Sequence, residues 1–346
     1  MTRSGAFILA GVLLASVLGI AHGQAPASRA ADAPALAPLT LARDGNFRIA
    51  PPYVDDAAFT AKPGVPKGTV HRFVMKSQDS KIYPTAPGAN GAADAAFDRT
   101  VAVYLPPGYV RGRETPFIVV QDERWYVPED APTGRTDLAF MPVMLDNLIA
   151  EKRVPAMVAV MLWPGPGRQR SLEYDLVSDA YTRFIESEVL PRITSDYGVN
   201  FTRDPEGRAV FGESSGAAAA MTMAWFHPEL YRRVISYSGT FVALQRNEIA
   251  PDGAWEYHQS FIPNAPKKPL RIWLHVSEND NGATTPAEGK RNWVIANQRM
   301  ADILKAKGYP YQFVLSEAVG HVSRPVQKQT MPEAFEWVWR GYKPPA

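Results

Sequence analysis

Five consecutive residues have the types and the setting of a serine nucleophile. The sequence Gly-Glu-Ser-Ser-Gly at 212–216 follows an apolar run, Arg208–Phe211, and precedes an alanine-rich stretch, Gly216–Phe226, that predicts a helix. A sharp turn from strand to helix exposes the hydroxyl of Ser214, and small flanking residues let the two elements approach closely. The pattern alone arises by chance in about one such chain in ten, so its setting carries the interpretation. The alternative is a glycine-rich connection whose serine caps the helix.

One of the six histidines lies where the base for this serine is expected. In chains with this motif, an acid and then a histidine follow the serine. His321 comes directly after the last predicted strand and after every candidate acid, so it is the predicted general base; the alternative is a solvated loop histidine. The other histidines are His22, His71, His227, His258 and His275. We expect His275, in the middle of a predicted strand, to be buried and hydrogen-bonded.

The predicted acid lies just past the strand Arg271–Val276. A carboxylate at this point accepts the N–H of the histidine ring and fixes its tautomer. Asp280 is preferred over Glu278, and the alternative is that both acids only cap a turn.

The oxyanion that forms on the attacked carbonyl needs two backbone N–H donors. One is expected from Ser215, the residue directly after the nucleophile. The second is expected from the loop after the predicted strand Phe117–Gln121, to within a residue at Asp122–Arg124, and we assign it to Glu123.

Short β-branched runs alternate with longer amphipathic stretches from about residue 68 onward. The predicted strands are Val70–Met75, Thr100–Leu105, Phe117–Gln121, Ala156–Leu162, Arg208–Phe211, Arg233–Ser236, Arg271–Val276 and Tyr311–Leu315. The predicted helices are Phe140–Glu151, Ser178–Asp196, Gly216–Phe226 and Trp293–Lys307. This alternation predicts an α/β fold, with a mostly parallel central sheet flanked by helices on both faces. Residues 242–269 break it with Pro, Gly, Asn and aromatic residues, so we expect a loop or cap insertion there, over the carboxyl ends of the strands.

Composition excludes several classes of protein. The chain of 346 residues fits one large domain, and 46% hydrophobic residues are enough for a core. A net charge of +2 gives no basic surplus for nucleic acid or anionic membrane, so neither is an expected partner. The lack of cysteine excludes disulfides, thiolate metal sites and a cysteine nucleophile. No cluster of His, Asp and Glu has metal-ligand spacing, so we expect no metal and no other cofactor.

The first residues are typical of an export signal. Arg3 precedes the apolar run Phe7–Ala21, and small residues around position 22 predict cleavage after Gly23. The alternative, an uncleaved anchor, needs roughly 20 apolar residues, so no stable membrane insertion is expected. Residues 24–52 are rich in Ala and Pro and predict a mobile leader, and 53–346 are the predicted domain. We therefore expect the mature protein in the periplasm or secreted.

Dispersed blocks of sequence are typical of one enzyme family. They are Gly68–His71, Ser80–Pro84, Val103–Tyr109, Val120–Asp122, Leu145–Ile149, Arg170–Asp175, Gly212–Gly216, Ala224–Pro228, Glu256–His258, Asp280 and Gly320–His321. From about Gly64 to Tyr342 the chain resembles the enterochelin-esterase-like branch of the "Putative esterase" family of α/β hydrolases. That family also contains feruloyl and acetylxylan esterases, S-formylglutathione hydrolases and mycolyltransferases. The resemblance implies the α/β-hydrolase fold and the triad Ser214, Asp280 and His321, which the spacing had also indicated.

Two departures from the family pattern affect the site. The family usually has Gly where this chain has Glu123, which predicts an acidic side chain at the mouth of the cleft. It commonly reads Arg-x-Arg-Glu-Tyr where this chain keeps Arg170, Glu173 and Tyr174 but lacks the second arginine. These three residues either shape the substrate pocket or anchor a loop through an ion pair.

Together these observations predict an exported serine esterase that cleaves a carboxylic ester or lactone through an acyl-enzyme. The expected substrate is a small molecule, such as a siderophore or glycan ester; Tyr257 and His258 either stack on its flat group or pack the cap. One alternative is a carbohydrate (feruloyl or acetyl) esterase, or an acyltransferase to a sugar or lipid hydroxyl. Another is a non-catalytic protein that binds a glycan or siderophore, although such a role puts no demand on an intact Ser, Asp and His.

The pH dependence of ester hydrolysis tests the assignment of a histidine base. A base must be neutral to accept the serine proton, so kcat/KM is expected to fall about tenfold per pH unit below roughly 6.5, the ordinary pKa of histidine. The measurement is kcat/KM for a short-chain aryl ester between about pH 5 and pH 8. A flat profile over this range contradicts a histidine base.

Overall fold

A computed structural model of the chain describes residues 37–127 and 140–344. The predicted signal peptide and residues 24–36 of the predicted leader lie outside the described residues. The described strands are β1 (Gly45–Ile49), β2 (Thr69–Lys76), β3 (Asp98–Leu105), β4 (Glu114–Thr115), β5 (Phe117–Gln121), β6 (Val158–Leu162), β7 (Asn200–Phe201), β8 (Arg208–Glu213), β9 (Arg233–Tyr237), β10 (Arg271–Asn279) and β11 (Tyr311–Gly320). The described helices are α1 (Met141–Ala150), α2 (Arg168–Tyr174), α3 (Ala180–Phe184), α4 (Leu190–Tyr197), α5 (Ser215–Phe226), α6 (Ile262–Asn264), α7 (Trp293–Ala306) and α8 (Arg324–Trp339).

Nine of the described strands form one sheet, in the order β1-β11-β10-β9-β8-β5-β6-β3-β2. Neighbouring strands are parallel except at β3, which runs antiparallel to both β2 and β6. The central strands β5, β6, β8 and β9 are buried at every residue, as expected of parallel strands that are covered on both faces. The predicted α/β fold with a mostly parallel sheet is confirmed.

Helices cover both faces of this sheet. Val103 of β3 belongs to a buried cluster that contains side chains of α5 and α7, whereas the next residue, Tyr104, belongs to one that contains side chains of α1 and α8. Helix α8 is absent from the sequence-based prediction, since Pro332 and the buried polar residues Gln327 and Thr330 obscure its apolar period. Among the described helices, none combines the length and the apolarity needed to cross a membrane.

The predicted leader extends too far, because residues 45–49 form β1 at one edge of the sheet. This strand pairs in parallel with β11 along its whole length. Phe47 and Ile49 are buried and flank the exposed Arg48, which is the alternation of a half-buried strand. Five such residues are too few to reveal a period within an Ala- and Pro-rich stretch, so the folded domain begins before residue 53.

The predicted cap insertion at 242–269 is the connection between β9 and β10. It contains the helical turns Gly253–Trp255 and Tyr257–Phe261 and the short helix α6. Trp255 and Ile262 are buried in the same cluster as side chains of α5 and α7. The segment therefore packs as a crossover on one face of the sheet, and its aromatic residues contribute to the core.

Four connections that carry predicted site residues begin at one edge of the sheet. The parallel strands β5, β8, β10 and β11 end at Gln121, Glu213, Asn279 and Gly320. Because the carboxyl ends of parallel strands meet at the same edge, the segments that follow them lie close together despite their separation in sequence.

Low pH is expected to destabilise this fold through protonation of His275 in the unfolded chain. The side chain lies in β10, is fully buried, and has a 2.8 Å hydrogen bond between Nε2 and Oγ of Ser316, so the structural role predicted for it is confirmed. Burial lowers the pKa of His275 to about 4, so the unfolded chain takes up a proton near pH 6.5 that the folded chain excludes. The free energy of unfolding is therefore expected to fall by up to about 3 kcal/mol as the pH drops from about 6.5 to 4.

Chemical denaturation at about pH 7 and about pH 4.5 measures this loss. The variant His275→Gln keeps a hydrogen-bonding side chain that does not titrate, so its free energy of unfolding is expected to change less between the two pH values. His258, whose pKa burial lowers to about 3, contributes a loss of the same sign in both proteins. Equal changes in the two proteins would contradict the role assigned to His275.

Candidate active site

Ser214 lies at the sharp turn between β8 and α5. Its backbone has φ 55° and ψ −125°, a conformation that residues other than glycine rarely adopt. The Ser214 N–H donates to the carbonyl of Tyr237 at 2.9 Å, and the Thr240 N–H donates to the carbonyl of Ser214 at 3.1 Å. These two bonds attach the strained residue to the end of β9 and the segment after it.

The two glycines of the motif are needed because neither position has room for a side chain. A Cβ on Gly212 would lie 2.1 Å from the carbonyl oxygen of Gly216, so strand and helix touch through bare backbone. A Cβ on Gly216 would lie 2.8 Å from Cβ of Gln121 and 3.1 Å from a carboxylate oxygen of Asp122. The first turn of α5 therefore packs directly against the end of β5 and the loop after it.

The structure brings the hydroxyl, imidazole and carboxyl groups of Ser214, His321 and Asp280 into one chain of hydrogen bonds. The His321 Nε2 lies 2.9 Å from Oγ of Ser214, and its Nδ1 lies 2.6 Å from Oδ1 of Asp280. These residues directly follow β8, β11 and β10. A carboxylate only accepts hydrogen bonds, so Nδ1 carries the ring proton and Nε2 can accept the proton of the serine.

Asp280 is held in its charged form by several donors. Its Oδ1 accepts a hydrogen bond from the Asn281 N–H at 2.8 Å, and its Oδ2 accepts one from Oγ of Ser238 at 2.7 Å and one from the Ser277 N–H at 3.2 Å. Burial raises the pKa of Asp280, but the hydrogen bonds, led by the one with His321, outweigh it and hold the pKa below its usual value.

Glu278, the second candidate acid, has a different partner. Its Oε2 accepts a hydrogen bond from the Ala318 N–H at 3.1 Å, which ties the ends of β10 and β11 together. Of the two predicted acids, Asp280 is therefore the one that contacts the imidazole of His321.

Ser238 is a site residue that the sequence analysis missed. It is fully buried just past β9, and its Oγ donates to Asp280 while accepting a hydrogen bond from the Val322 N–H at 3.2 Å. One hydroxyl thus joins the acid to the residue after His321. Its only signal in the sequence is a position at the end of a predicted strand, which many serines share.

Trp293 is a neighbour of His321 that the sequence analysis missed. It begins α7, and its ring lies edge-on to the imidazole of His321, with the ring centroids 6.3 Å apart. Its Nε1 donates to Oγ1 of Thr240 at 3.2 Å, so the indole is fixed beside the imidazole. No pattern in the sequence distinguishes this tryptophan from one that packs in the core.

The loop after β5 turns at Asp122, which has φ 61° and ψ 53°. Arg170 holds the carboxylate of this residue, with Nε and Nη2 at 3.0 and 2.8 Å from its two oxygens. Glu123 follows in a short helical turn. The first turn of α5, where the N–H of Ser215 has no partner within the helix, packs against Gln121 and Asp122 at the start of this loop. The two backbone groups predicted to bind an oxyanion thus belong to segments that pack against each other.

The side chain of Glu123 is not at the mouth of the cleft, so that expectation is wrong. It is only 1% exposed, and its Oε1 accepts a 2.8 Å hydrogen bond from Nε of Arg72 in β2. A buried carboxylate needs a cationic partner, and the edge strand β2 supplies one. The side chain of Glu123 therefore anchors the loop after β5 to β2.

Arg170 and Tyr174 contact the same loop, as in the alternative to a role in the substrate pocket, whereas Glu173 ties α2 to β3. Glu173 is buried, and both of its oxygens accept hydrogen bonds from Arg99, at 2.6 and 2.7 Å. Tyr174 is 1% exposed, and its hydroxyl accepts a 3.4 Å hydrogen bond from the Asp122 N–H. Glu173 and Tyr174 leave no surface for a substrate, whereas a third of the Arg170 side chain is exposed.

Tyr257 and His258 likewise pack within the crossover. The Tyr257 side chain is fully buried, and its hydroxyl lies 2.7 Å from Oγ1 of Thr222 in α5. The His258 ring packs edge-on against Trp255 at 4.4 Å and is also buried. Both predicted substrate contacts are therefore core residues, because the segment that carries them is a crossover on the sheet.

Comparison with known proteins adds to this geometry. Residues 95–329, more than half of the chain, match the family model described as "Putative esterase", and this span includes Ser214, Asp280 and His321. No curated protein matches the chain in sequence.

Similar solved structures are esterases. A ferulic acid esterase is 17% identical, with a TM-score of 0.55, over 79% of this chain and 99% of that chain. An enterobactin esterase from Shigella flexneri, in the presence of enterobactin, is 18% identical with a TM-score of 0.57, over 81% of this chain and 60% of that chain. A ferulic acid esterase from the fungus Anaeromyces mucronatus is 15% identical with a TM-score of 0.55, over 83% of this chain and 96% of that chain. At these identities, the likeness shows a shared fold.

The contact between β8 and α5 predicts the effect of Gly212→Ala. The added methyl group would overlap the backbone of Gly216, so strand and helix must separate, at a cost of about 1–3 kcal/mol or more in the free energy of unfolding. Urea denaturation measures this cost. The control is Gly289→Ala, whose Cβ would lie 3.3 Å from a side-chain methyl group of Thr285. Equal stability of the two variants would contradict the close approach.

Proposed function

Because the chain belongs to the esterase family that residues 95–329 match, we propose that it cleaves a carboxylic ester or lactone with Ser214 as nucleophile. The enzyme is a carboxylic ester hydrolase, and its nucleophile, base and acid are what we propose here. The observation that carries the proposal is the chain of hydrogen bonds from Ser214 through His321 to Asp280, at 2.9 and 2.6 Å. A serine with a base in reach, and a base oriented by an acid, is the arrangement that nucleophilic catalysis requires.

In the first step, the Nε2 of His321 removes the hydroxyl proton as Oγ of Ser214 attacks the ester carbonyl. The imidazolium that forms keeps its Nδ1–H bond to Asp280, whose carboxylate stabilises the positive charge. The imidazolium then gives its proton to the leaving alcohol as the ester bond breaks. Ser214 is left as an acyl ester.

The tetrahedral intermediate carries its negative charge on the former carbonyl oxygen. We assign the N–H groups of Ser215 and Glu123 as the donors that bind this oxyanion. The N–H of Ser215 lies at the amino end of the 12-residue helix α5, where the helix dipole also favours negative charge. Removal of one such donor typically costs on the order of 10²–10³ in kcat.

In the second step, His321 accepts a proton from water, and the resulting hydroxide attacks the acyl group on Ser214. Collapse of the second oxyanion breaks the bond to Oγ, which takes the proton back from His321. The free acid leaves and the resting site is restored.

The proposed substrate is a small-molecule ester of the kinds named for the similar structures. Those proteins are called ferulic acid esterases and enterobactin esterases. The half-buried Trp293 beside His321 offers an aromatic surface next to the base, which supports an acyl or alcohol group with a flat ring. Feruloyl esters and enterobactin are therefore the first two substrates to test.

We also propose that the protein is exported. This part rests on the sequence alone, on the charged start, the apolar run and the small residues that precede Gly23. The mature chain is expected to begin at Gln24, and N-terminal sequencing of the protein from the periplasm or the medium would locate the cleavage point.

Labelling with a fluorophosphonate probe tests the proposed nucleophile and base. The probe reacts with a serine only when a neighbouring base activates it, so the wild-type protein is expected to label and Ser214→Ala is expected not to. His321→Ala is expected to label at least about 10³-fold more slowly, and Asp280→Asn to lose about 10³–10⁴-fold in kcat because the imidazole takes the wrong tautomer. Rates of labelling and of aryl-ester hydrolysis are measured on the same samples.

Thermal unfolding of each variant confirms that the loss of labelling is not a loss of fold. A folded wild-type protein that neither labels nor hydrolyses any tested ester would overturn the proposed function. Labelling that persists in Ser214→Ala would place the nucleophile elsewhere.

A further inference from the structure

Glu213, the residue between Gly212 and the nucleophile, has no role in the steps above, although its carboxylate accepts four hydrogen bonds, as many as that of Asp280. The Oε2 of Glu213 accepts hydrogen bonds from Nη1 of Arg324 at 2.7 Å, from the hydroxyl of Tyr126 at 2.6 Å and from Nε2 of Gln327 at 2.7 Å. Its Oε1 accepts a further bond from Nη2 of Arg324 at 2.9 Å. The Glu213 side chain is 6% exposed.

The partners of Glu213 come from the segments that carry the other reacting groups. Tyr126 directly follows the helical turn Glu123–Trp125, which contains the proposed second oxyanion donor. Arg324 lies three residues after His321 and begins α8, and Gln327 lies one turn further along that helix. Glu213 itself is bonded through its backbone to Ser214. One carboxylate therefore touches all three segments.

The electrostatics keep this group charged. Burial raises the pKa of Glu213, but its interaction with Arg324 outweighs burial and holds the pKa below its usual value. Burial raises the pKa of the Tyr126 hydroxyl well above its usual value, so this group remains a neutral donor. The Arg324 guanidinium also lies over the Tyr126 ring, 5.8 Å from its centroid. The network is thus one anion with three donor residues, and the negative charge strengthens every bond to it.

The connection between His321 and α8 is short enough for this network to act on the base. Only two residues separate His321 from Arg324, and the first of them, Val322, has a positive φ of 50°. A shift of α8 relative to β8 would therefore move the imidazole relative to the serine hydroxyl. A displacement of about 1 Å between reacting groups typically costs on the order of 10²-fold in rate.

We propose that Glu213 is a positioning residue. Its carboxylate holds Ser214, His321 and the loop that contains Glu123 in the relative positions that the reaction needs. This inference rests on the proposed function, since it assigns Glu213 a part in the reaction of Ser214. The competing explanation is that the pair with Arg324 only stabilises the fold. The two explanations predict different behaviour when the charges are removed together.

Glu213→Gln removes the charge and keeps the shape. It leaves Arg324, whose side chain is 15% exposed, without the carboxylate of Glu213, and it points the NH₂ group of the new amide at other hydrogen-bond donors. We expect kcat to fall about 10–10²-fold with KM changed less than about twofold, because the reacting groups move while the substrate surface is retained. Stability is expected to fall as well, since a largely buried charge has lost its carboxylate partner.

The double variant Glu213→Gln with Arg324→Met separates positioning from stability. It removes both charges, and the new amide can still bond to Tyr126 and Gln327. Replacement of a buried ion pair by neutral groups often restores stability, so the melting temperature is expected to return toward that of the wild type. The kcat is expected to stay low, because α8 loses both bonds from Arg324 to the end of β8 and keeps only the one from Gln327.

An ion pair at the opposite edge of the sheet gives the control, with a buried arginine and a carboxylate that is 42% exposed. Arg233, at the start of β9, is 4% exposed at its side chain, and its Nη2 bonds to Oε2 of Glu206 at 2.8 Å. Glu206→Gln leaves this arginine without its anion, far from the carboxyl ends of the strands. The free energy of unfolding of this variant is expected to fall, whereas its kcat per folded molecule is expected to stay unchanged.

Proton NMR gives a readout that a purely stabilising role would not alter. The Nδ1 proton of His321, in its 2.6 Å hydrogen bond to Asp280, is expected to resonate far downfield in the wild-type protein. We expect this resonance to shift or broaden in Glu213→Gln and in the double variant, and to stay unchanged in Glu206→Gln.

The outcomes discriminate among the explanations. A folded Glu213→Gln with wild-type kcat, or a double variant that regains kcat together with stability, would overturn the positioning role and leave the proposed function intact. A folded wild-type protein that neither labels nor hydrolyses esters would overturn the proposed function, and the positioning role with it.

Discussion

The strained backbone of Ser214 is the constraint on which the rest of the site depends. A residue other than glycine with φ near +55° costs on the order of 1–3 kcal/mol, and it persists only where its surroundings hold it. Here β8 is paired on both sides, by β5 and by β9, and backbone bonds to Tyr237 and from Thr240 fix the turn. The contact of Gly212 with Gly216 completes the turn. The central place of β8 in the sheet is therefore what makes an exposed, oriented hydroxyl possible.

Buried carboxylates surround this turn, and each is held by an arginine from a different element. The pairs are Asp122 with Arg170 of α2, Glu123 with Arg72 of β2, and Glu213 with Arg324 of α8. Each buried charge costs several kcal/mol of hydration, which its partner only roughly repays, so such pairs add little net stability. Their effect is geometric, because a bonded pair of charges cannot shift without losing its hydrogen bonds. The loops at the carboxyl edge are thus fixed by paired charges, whereas the strands below them are fixed by apolar packing.

Much of the fold follows from local pattern. The eight predicted strands and four predicted helices all contain described elements of the same type, because runs of β-branched residues and apolar periods act over a few residues. The elements that escaped prediction lack such a period. In β1 the alternation is confined to Phe47 and Ile49, and α8 contains Pro332. The segment at 242–269 was interpreted as a cap because its aromatic residues have no period, yet they are buried as a crossover.

The sequence by itself determined the Gly212–Gly216 motif, the order of Ser214, Asp280 and His321 along the chain and the strands that carry them, because the motif and each strand depend on residues close together in the chain. Only the tertiary structure decided which residues support them. Ser238 joins Asp280 to the segment after the base, and Glu123 turns away from the cleft to bind Arg72. Each of these contacts joins segments far apart in sequence, and a side chain has no local pattern that reveals which distant partner satisfies its charge or its hydrogen bond. Burial makes that partner necessary, and the packing of the strands selects it.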